Sequence, residues 1–94
     1  MNFWTPTNEW SALINESDTS MPWYAEYDWV EVHSYDPDTK EFMFEWHDDF
    51  DWLDESRWTP SDNKTFDGNT SKFMRSQTYT ESGKLVLKME KPIV

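Results

Sequence analysis

The chain is poor in the residue types on which several protein classes depend. It has no cysteine, which excludes a disulfide framework and a thiolate metal site and leaves the cellular compartment open. Two glycines in 94 residues are too few for a glycine-rich loop that cradles phosphate. No apolar run approaches the length of a transmembrane helix, so we expect no membrane partner.

Basic residues are also scarce. Eight Lys and Arg stand against nineteen Asp and Glu, and the formal net charge is −11. Because nucleic-acid binding needs clustered cations, a nucleic-acid partner is disfavoured, and a neutral polymer or a cation fits better. Aromatic residues, in contrast, make up 18% of the chain. Rigid aromatic faces therefore outnumber the usual aliphatic core residues.

Apolar residues recur at every second position in three short runs, which is typical of β-strands. The runs that are expected to share one face each are Ala25, Tyr27 and Trp29, then Phe42, Phe44 and Trp46, then Leu85, Leu87 and Met89. Turn residues at 36–38, 60–63, 67–69 and 81–83 separate these runs. The pattern predicts an all-β sandwich in a single domain, with a long loop at residues 8–20.

Residues that could carry catalysis are not evident. His33 and His47 lack a nucleophile context and a second ligand at metal spacing, so we interpret both as surface residues. The acidic stretch 48–55 lacks the glycine and the ligand spacing of a calcium loop, and we interpret it as a solvated turn. No catalytic residue is assigned within the chain.

Sugar binding is the chemistry that the residues favour most. Pyranose rings pack their C–H faces on flat aromatic side chains, and their hydroxyl groups need amide or carboxylate partners. Trp4 and Trp10 flank one polar loop, and Phe66 and Asn69 flank another. Packing in the core is the alternative role for Trp4 and Phe66, and the pattern alone leaves both open.

Two stretches of the chain carry a family resemblance. Residues 1–4 (MNFW), with residues 24–30 (YAEYDWV), resemble the closing strands of a family-16 β-glucanase, and residues 58–85 resemble its opening strands. The order is reversed, as in circularly permuted lichenases. The resemblance implies one partial jelly-roll domain over residues 1–94: former C-terminal strands at 1–33, a permutation linker at 34–41 and former N-terminal strands at 42–94.

The resemblance also implies site residues. It places Trp4, Trp10, Phe66 and Asn69 in a glucan-binding cleft. Lys64 stands where the permuted enzymes have a tryptophan, so one stacking position departs from the pattern. The family's catalytic glutamates lie on one strand in a Glu-x-Asp-x-x-Glu or closely related pattern that puts all three acids on one face. Glu26, Asp28 and Glu31 have that spacing, but regular alternation puts Glu31 on the face opposite Glu26, and this stretch resembles a closing strand of the family. The resemblance therefore implies that a complementary chain or segment supplies the catalytic glutamates.

A structural calcium ion is a further implication of the resemblance. Its ligands would be the carboxylate of Asp28 and the backbone carbonyls of Trp46 and Gly83. A hard cation with oxygen ligands and water is chemically reasonable for such a set. Its role would be to hold strands together.

Three hypotheses follow. The first is the non-catalytic part of a secreted endo-β-1,3-1,4-glucanase, with its secretion signal outside this chain. The second is a stand-alone β-glucan-binding module, which the aromatic excess and the absence of an assigned catalytic residue also fit. The third is a protein-interaction domain unrelated to sugar, which applies if the resemblance is coincidental.

Overall fold

The structure is a computed structural model that describes residues 1–5 and 20–91. Within these residues the regular structure is β, apart from one 3₁₀ turn at Arg75–Gln77. The five strands are β1 (Trp23–Tyr27), β2 (Val30–Asp36), β3 (Glu41–Asp48), β4 (Thr78–Glu81) and β5 (Lys84–Met89). The predicted all-β class is confirmed, while residues 8–19 of the loop predicted at 8–20 lie outside the described residues.

The larger sheet has three antiparallel strands in the order β1-β5-β4. Leu85 of β5 lies opposite Tyr27 on one side and Thr80 on the other. Successive side chains of β5 point to opposite faces, and Leu85 and Val86 are each 3% exposed, so both faces are covered at this point of the strand. The alternating pattern predicted this strand, and the structure adds that both of its faces are buried.

The smaller sheet is an antiparallel hairpin of β2 and β3. Its turn begins at Asp36, whose carbonyl accepts a hydrogen bond from the Lys40 amide at 2.8 Å. The Asp36 carboxylate accepts a second one from the Asp38 amide at 2.9 Å. The predicted turn is thus confirmed, and residues 34–41 comprise the end of β2, the turn and the first residue of β3.

An irregularity in this hairpin changes which side chains share a face. The register shifts at Glu45, which is an extra residue on β3. Beyond the shift, Phe44 lies opposite His33 and their rings meet edge to face at 5.8 Å. Trp46 packs instead against Trp58 at 5.8 Å. The expectation that Phe44 and Trp46 share one face is therefore wrong, because a bulge switches the faces of a strand.

The packed centre beneath the hairpin is formed by the segment that follows β3. Phe50 is fully buried and packs against Trp58 with ring centroids 5.8 Å apart. Its φ of 57° turns the chain sharply after β3. The guanidinium carbon of Arg57 lies over the Trp46 ring, 4.2 Å from its centroid.

The molecule is elongated, with extents of 53 × 31 × 22 Å and a radius of gyration of 16.7 Å. A compact domain of 100 residues has a radius of gyration of about 13 Å. The chain thus leaves large apolar side chains uncovered, and Phe42 at the distal end of the hairpin is 73% exposed.

Candidate functional site

Three of the four predicted cleft residues lie close together. The Trp4 and Phe66 rings meet edge to face with centroids 5.1 Å apart, although they lie far apart in the chain. Phe73 extends this group, since its ring lies 5.8 Å from Phe66. Trp10, the fourth predicted residue, lies outside the described residues.

Asn69 joins the same group through the loop that carries Phe66. The backbone amide of Asn69 donates a hydrogen bond to the Phe66 carbonyl at 3.2 Å, across a turn in which Gly68 has a φ of 86°. Its side-chain oxygen accepts a hydrogen bond from the Ser71 amide at 2.8 Å, which fixes the orientation of the side-chain amide. The nitrogen Nδ2 is then buried with no hydrogen-bond partner among the described residues.

A threonine pair ties the N-terminal segment to this loop. Thr5 is only 8% exposed, and its carbonyl accepts a hydrogen bond from the Thr70 amide at 2.8 Å. Its hydroxyl is hydrogen-bonded to the Thr70 hydroxyl and, at 2.6 Å, to the Ser71 hydroxyl. Because Thr5 follows Trp4 directly, this contact sets the position of the Trp4 ring against the loop.

Lys64 pairs with Phe73 at the two ends of the loop at residues 64–73. Its amide donates to the Phe73 carbonyl at 3.1 Å, and the Phe73 amide donates back at 2.7 Å. The two residues form an isolated antiparallel bridge, and the Lys64 side chain is exposed. The backbone here is therefore ordered by hydrogen bonds, while a cationic side chain stands where the resemblance implied a stacking ring.

The three predicted calcium ligands come from segments next to the larger sheet and from a strand of the smaller sheet. Asp28 follows β1, and its carboxylate lies 3.8 Å from Nζ of Lys84, the residue after Gly83. Gly83 occupies the β4–β5 turn with a φ of 71°, and the Asp51 carboxylate lies beside it. Trp46 belongs to β3 of the other sheet. A carboxylate and carbonyl oxygens suit a hard cation. Within residues 1–5 and 20–91, no group of three or more His, Asp and Glu side chains is arranged to hold a metal.

Asp48 is a buried acid that the sequence pattern missed. Its carboxylate accepts hydrogen bonds from the Trp58 indole at 2.7 Å and from the Phe50 amide at 2.9 Å, and Arg57 lies 3.5 Å away. Burial on its own would raise the pKa, but these partners outweigh it and hold the pKa of Asp48 below its usual value. The expectation of a solvated turn is wrong at Asp48 and Phe50. The sequence offered no local signal for this burial, because the indole that donates to Asp48 lies ten positions further along the chain.

The two histidines share a carboxylate on the outer side of the hairpin. Glu31 accepts from His33 at 2.8 Å and lies 3.3 Å from His47, which also contacts Asp49 at 2.6 Å. The hydrogen bond to Asp49 is the main cause that raises the pKa of His47, and the hydrogen bond from His33 is the main cause that lowers the pKa of Glu31. Both histidines are exposed, as the sequence predicted.

A cavity of about 530 Å³ lies beside the Trp4 group. Its lining is largely apolar and includes Phe3, Trp58, Phe73, Leu85, Leu87 and Met89. The polar end contains Gln77, whose Nε2 donates to Glu90 at 2.9 Å and whose Oε1 is buried without a partner among the described residues. Lys88, hydrogen-bonded to Glu90, is the main cause that lowers the pKa of that carboxyl. Phe73 belongs to both the cavity lining and the Trp4 group, and Ser71, which also lines the cavity, is hydrogen-bonded to Thr5 and Asn69, so the cavity and the Trp4 group are adjacent.

Comparison with known proteins adds no assignment. No protein-family model matches the chain, and the search of curated proteins returns no match. Across the described parts of the chain, no helix is long and apolar enough to cross a membrane.

Proposed function

We propose that this chain is the non-catalytic part of a lichenase-type, family-16 endo-β-1,3-1,4-glucanase. It contributes strands of a β-jelly roll, one wall of the glucan cleft and a structural calcium site. The catalytic glutamates, which cleave the glycosidic bond with retention, are supplied by a complementary chain or segment outside these 94 residues.

The observation that carries this proposal is the meeting of Trp4, Phe66 and Asn69. Two of them come from a loop far along the chain from the first, and the Thr5–Thr70 hydrogen bonds hold the two segments together. An edge-to-face ring pair offers an apolar platform on which the C–H face of a sugar ring can pack.

Open sheet edges support the need for a complementary segment. In the order β1-β5-β4, strands β1 and β4 each have one unpaired edge, and the β2–β3 hairpin pairs only with itself among the described strands. A two-stranded sheet is marginal on its own, and exposed edges promote association. Additional strands would pair with these edges and extend the two sheets into a jelly roll.

The decisive experiment is a lichenan hydrolysis assay. The 94-residue chain is assayed alone and after mixing with a polypeptide that carries the catalytic strands of a lichenase. We expect no release of reducing sugar by the chain alone and hydrolysis by the mixture. Activity of the isolated chain would contradict the assignment of catalysis to another segment, and an inactive mixture that forms a stable complex would contradict the hydrolase proposal.

A matched pair of tryptophan variants tests the cleft itself. In the complemented enzyme, Trp4→Ala should lower kcat/KM for lichenan about tenfold, because one sugar-stacking face is removed. Trp52→Ala removes an equally large ring that is 64% exposed, and it should leave kcat/KM unchanged. Equal effects of the two substitutions would count against a cleft at Trp4.

A stand-alone β-glucan-binding module is the second candidate. The observation that favours it is that the Trp4–Phe66–Asn69 group forms within this chain, without any other segment. It predicts that the isolated chain is a folded monomer that binds lichenan oligosaccharides in calorimetry. A folded monomer that binds none of them would reject this candidate.

A further inference from the structure

The outer face of the β2–β3 hairpin carries a second group of aromatic rings, remote in the chain from the Trp4 group. We call the row formed by Trp29, Tyr35, Phe42 and Phe44, together with the polar side chains between them, the aromatic strip. Its four rings are 58%, 53%, 73% and 60% exposed, respectively. Rings of this size are normally buried, and a row of them on one face marks a binding surface.

Contacts between neighbours show that the strip is continuous. Trp29 stacks on His47 with ring centroids 5.4 Å apart, and His47 contacts Glu31 at 3.3 Å. Glu31 accepts a hydrogen bond from His33, whose ring meets Phe44 at 5.8 Å.

The far end of the strip is a cross-strand ring pair. Phe42 lies two residues before Phe44 on the same face of β3 and packs against Tyr35 at 5.2 Å. Apolar rings and hydrogen-bonding groups thus alternate along one face of the hairpin.

The bulge at Glu45 is what assembles the strip. If β3 paired regularly through Glu45, Phe42 and Phe44 would lie on the same face as Trp46, which packs inward on Trp58. The bulge turns the two phenylalanines to the side that carries Glu31 and His47. The bulge thus leaves two large apolar rings in contact with water, and exposed apolar patches typically mark interaction sites.

The polar groups of the strip indicate the chemistry of its ligand. Both carboxylate oxygens of Glu31 are already hydrogen-bonded to imidazoles, so neither is free to form a bidentate pair with a cationic side chain of a basic peptide. The net charge of −11 repels anionic polymers and a second copy of the chain. A neutral polyhydroxylated chain fits both features, because its C–H faces pack on the exposed rings and it needs no charged partner.

We propose that the aromatic strip is a second binding surface, which takes a neutral polysaccharide chain along the outer face of the β2–β3 hairpin. It uses none of the residues of the Trp4 group. It therefore goes beyond the proposed cleft and does not depend on it.

The test is electrophoresis of the 94-residue chain in native gels that contain soluble lichenan. The wild-type chain should be retarded in proportion to the polysaccharide concentration. Phe44→Ala and Tyr35→Ala should each weaken binding about two- to tenfold, which is the loss expected for one aromatic contact. Both side chains are more than half exposed, so the fold should persist, and circular dichroism checks this.

Met43→Ala is the matched control. Met43 lies between the two phenylalanines of β3 but on the opposite face, and it is 56% exposed. Its substitution should leave the retardation unchanged. A wild-type chain that is not retarded, or retardation that Phe44→Ala and Tyr35→Ala leave intact, would overturn the proposal.

Two more measurements distinguish the strip from a dimer interface and from the cleft. A wild-type dimer in sedimentation that Phe44→Ala dissociates would overturn the proposal, since the strip would then join two copies. If Trp4→Ala lowers hydrolysis in the complemented enzyme while Phe44→Ala leaves lichenan binding intact, the cleft stands and the strip falls. The reverse result would retain the strip and reject the cleft.

Discussion

At the scale of single residues, Asp48 shows how a charged side chain can organise a core in a small domain. Its carboxylate is held by the Trp58 indole, the Phe50 amide and the Arg57 guanidinium. Each of these groups would lose a partner if the carboxylate were removed. A buried acid in such a position contributes to stability through the groups it satisfies more than through charge alone.

We predict that Asp48→Asn destabilises the chain by about 1 to 3 kcal/mol at neutral pH, because an amide cannot accept from both donors and neutralise Arg57. The lowered pKa of Asp48 stabilises the folded state above the unfolded pKa, and this contribution is lost as pH falls through the folded pKa. The difference between wild type and variant should therefore shrink below about pH 4. Urea unfolding at several pH values measures it.

Asp51→Asn is the control for this prediction, since Asp51 is an exposed acid in the same segment. It should change the free energy of unfolding by less than about 0.5 kcal/mol. A difference between Asp48→Asn and wild type that is independent of pH would contradict the role given to the ionised carboxylate.

At the scale of elements, the β4–β5 turn is the tightest connection in the larger sheet. Glu81 pairs directly with Lys84, which leaves a two-residue loop of Ser82 and Gly83. Their φ values of 52° and 71° are both positive, as a type I′ turn requires. Serine is a poor residue for the first position, where asparagine is preferred.

We predict that Ser82→Asn stabilises the chain by about 0.5 to 1 kcal/mol, since asparagine tolerates the left-handed conformation better than serine. Gly83→Ala should destabilise it by about 1 to 2 kcal/mol. That loss is conformational, because an added Cβ would meet no atom closer than Asp51 Oδ1 at 3.8 Å. Ser61→Asn, at a position without positive φ, is the control and should be neutral. Opposite signs for Ser82→Asn and Gly83→Ala in urea unfolding are the expected result.

The strands were predictable from sequence because alternation with a period of two is a local signal. The runs at Phe42 and Leu85 fall within β3 and β5, and the turn residues at 36–38 and 81–83 lie where the hairpins close. The bulge at Glu45 was not predictable, because a register shift depends on the partner strand. The faces of Phe42 and Phe44 were therefore assigned wrongly even though their strand was right.

At the scale of the whole molecule, the candidate site depends on contacts between segments that are far apart in the chain. Pattern alone left Trp4 and Phe66 open between core and cleft, and only the family resemblance put them together with Asn69. The ring contact at 5.1 Å agrees with that grouping. No local signal could have indicated it, since the pairing depends on how the N-terminal segment folds back on the loop at 64–73.

The calcium proposal makes a prediction for the whole molecule, because a cation bound only by the folded state stabilises every element at once. We expect saturating Ca²⁺, at about one hundred times its Kd, to stabilise the chain by about 2.7 kcal/mol, measured as a rise in Tm. Asp28→Asn should abolish the rise. Glu26→Gln should preserve the rise, although the Glu26 carboxylate also lies near Lys84, at 3.7 Å from Nζ.

Added salt also stabilises a chain with a net charge of −11, whatever the cation. The rise in Tm with Mg²⁺ at equal ionic strength is therefore the baseline for the rise with Ca²⁺. If Mg²⁺ gives the same rise in Tm, or if the rise persists in Asp28→Asn, calcium acts only as a screening counterion. The structural calcium site would then be removed from the proposed function.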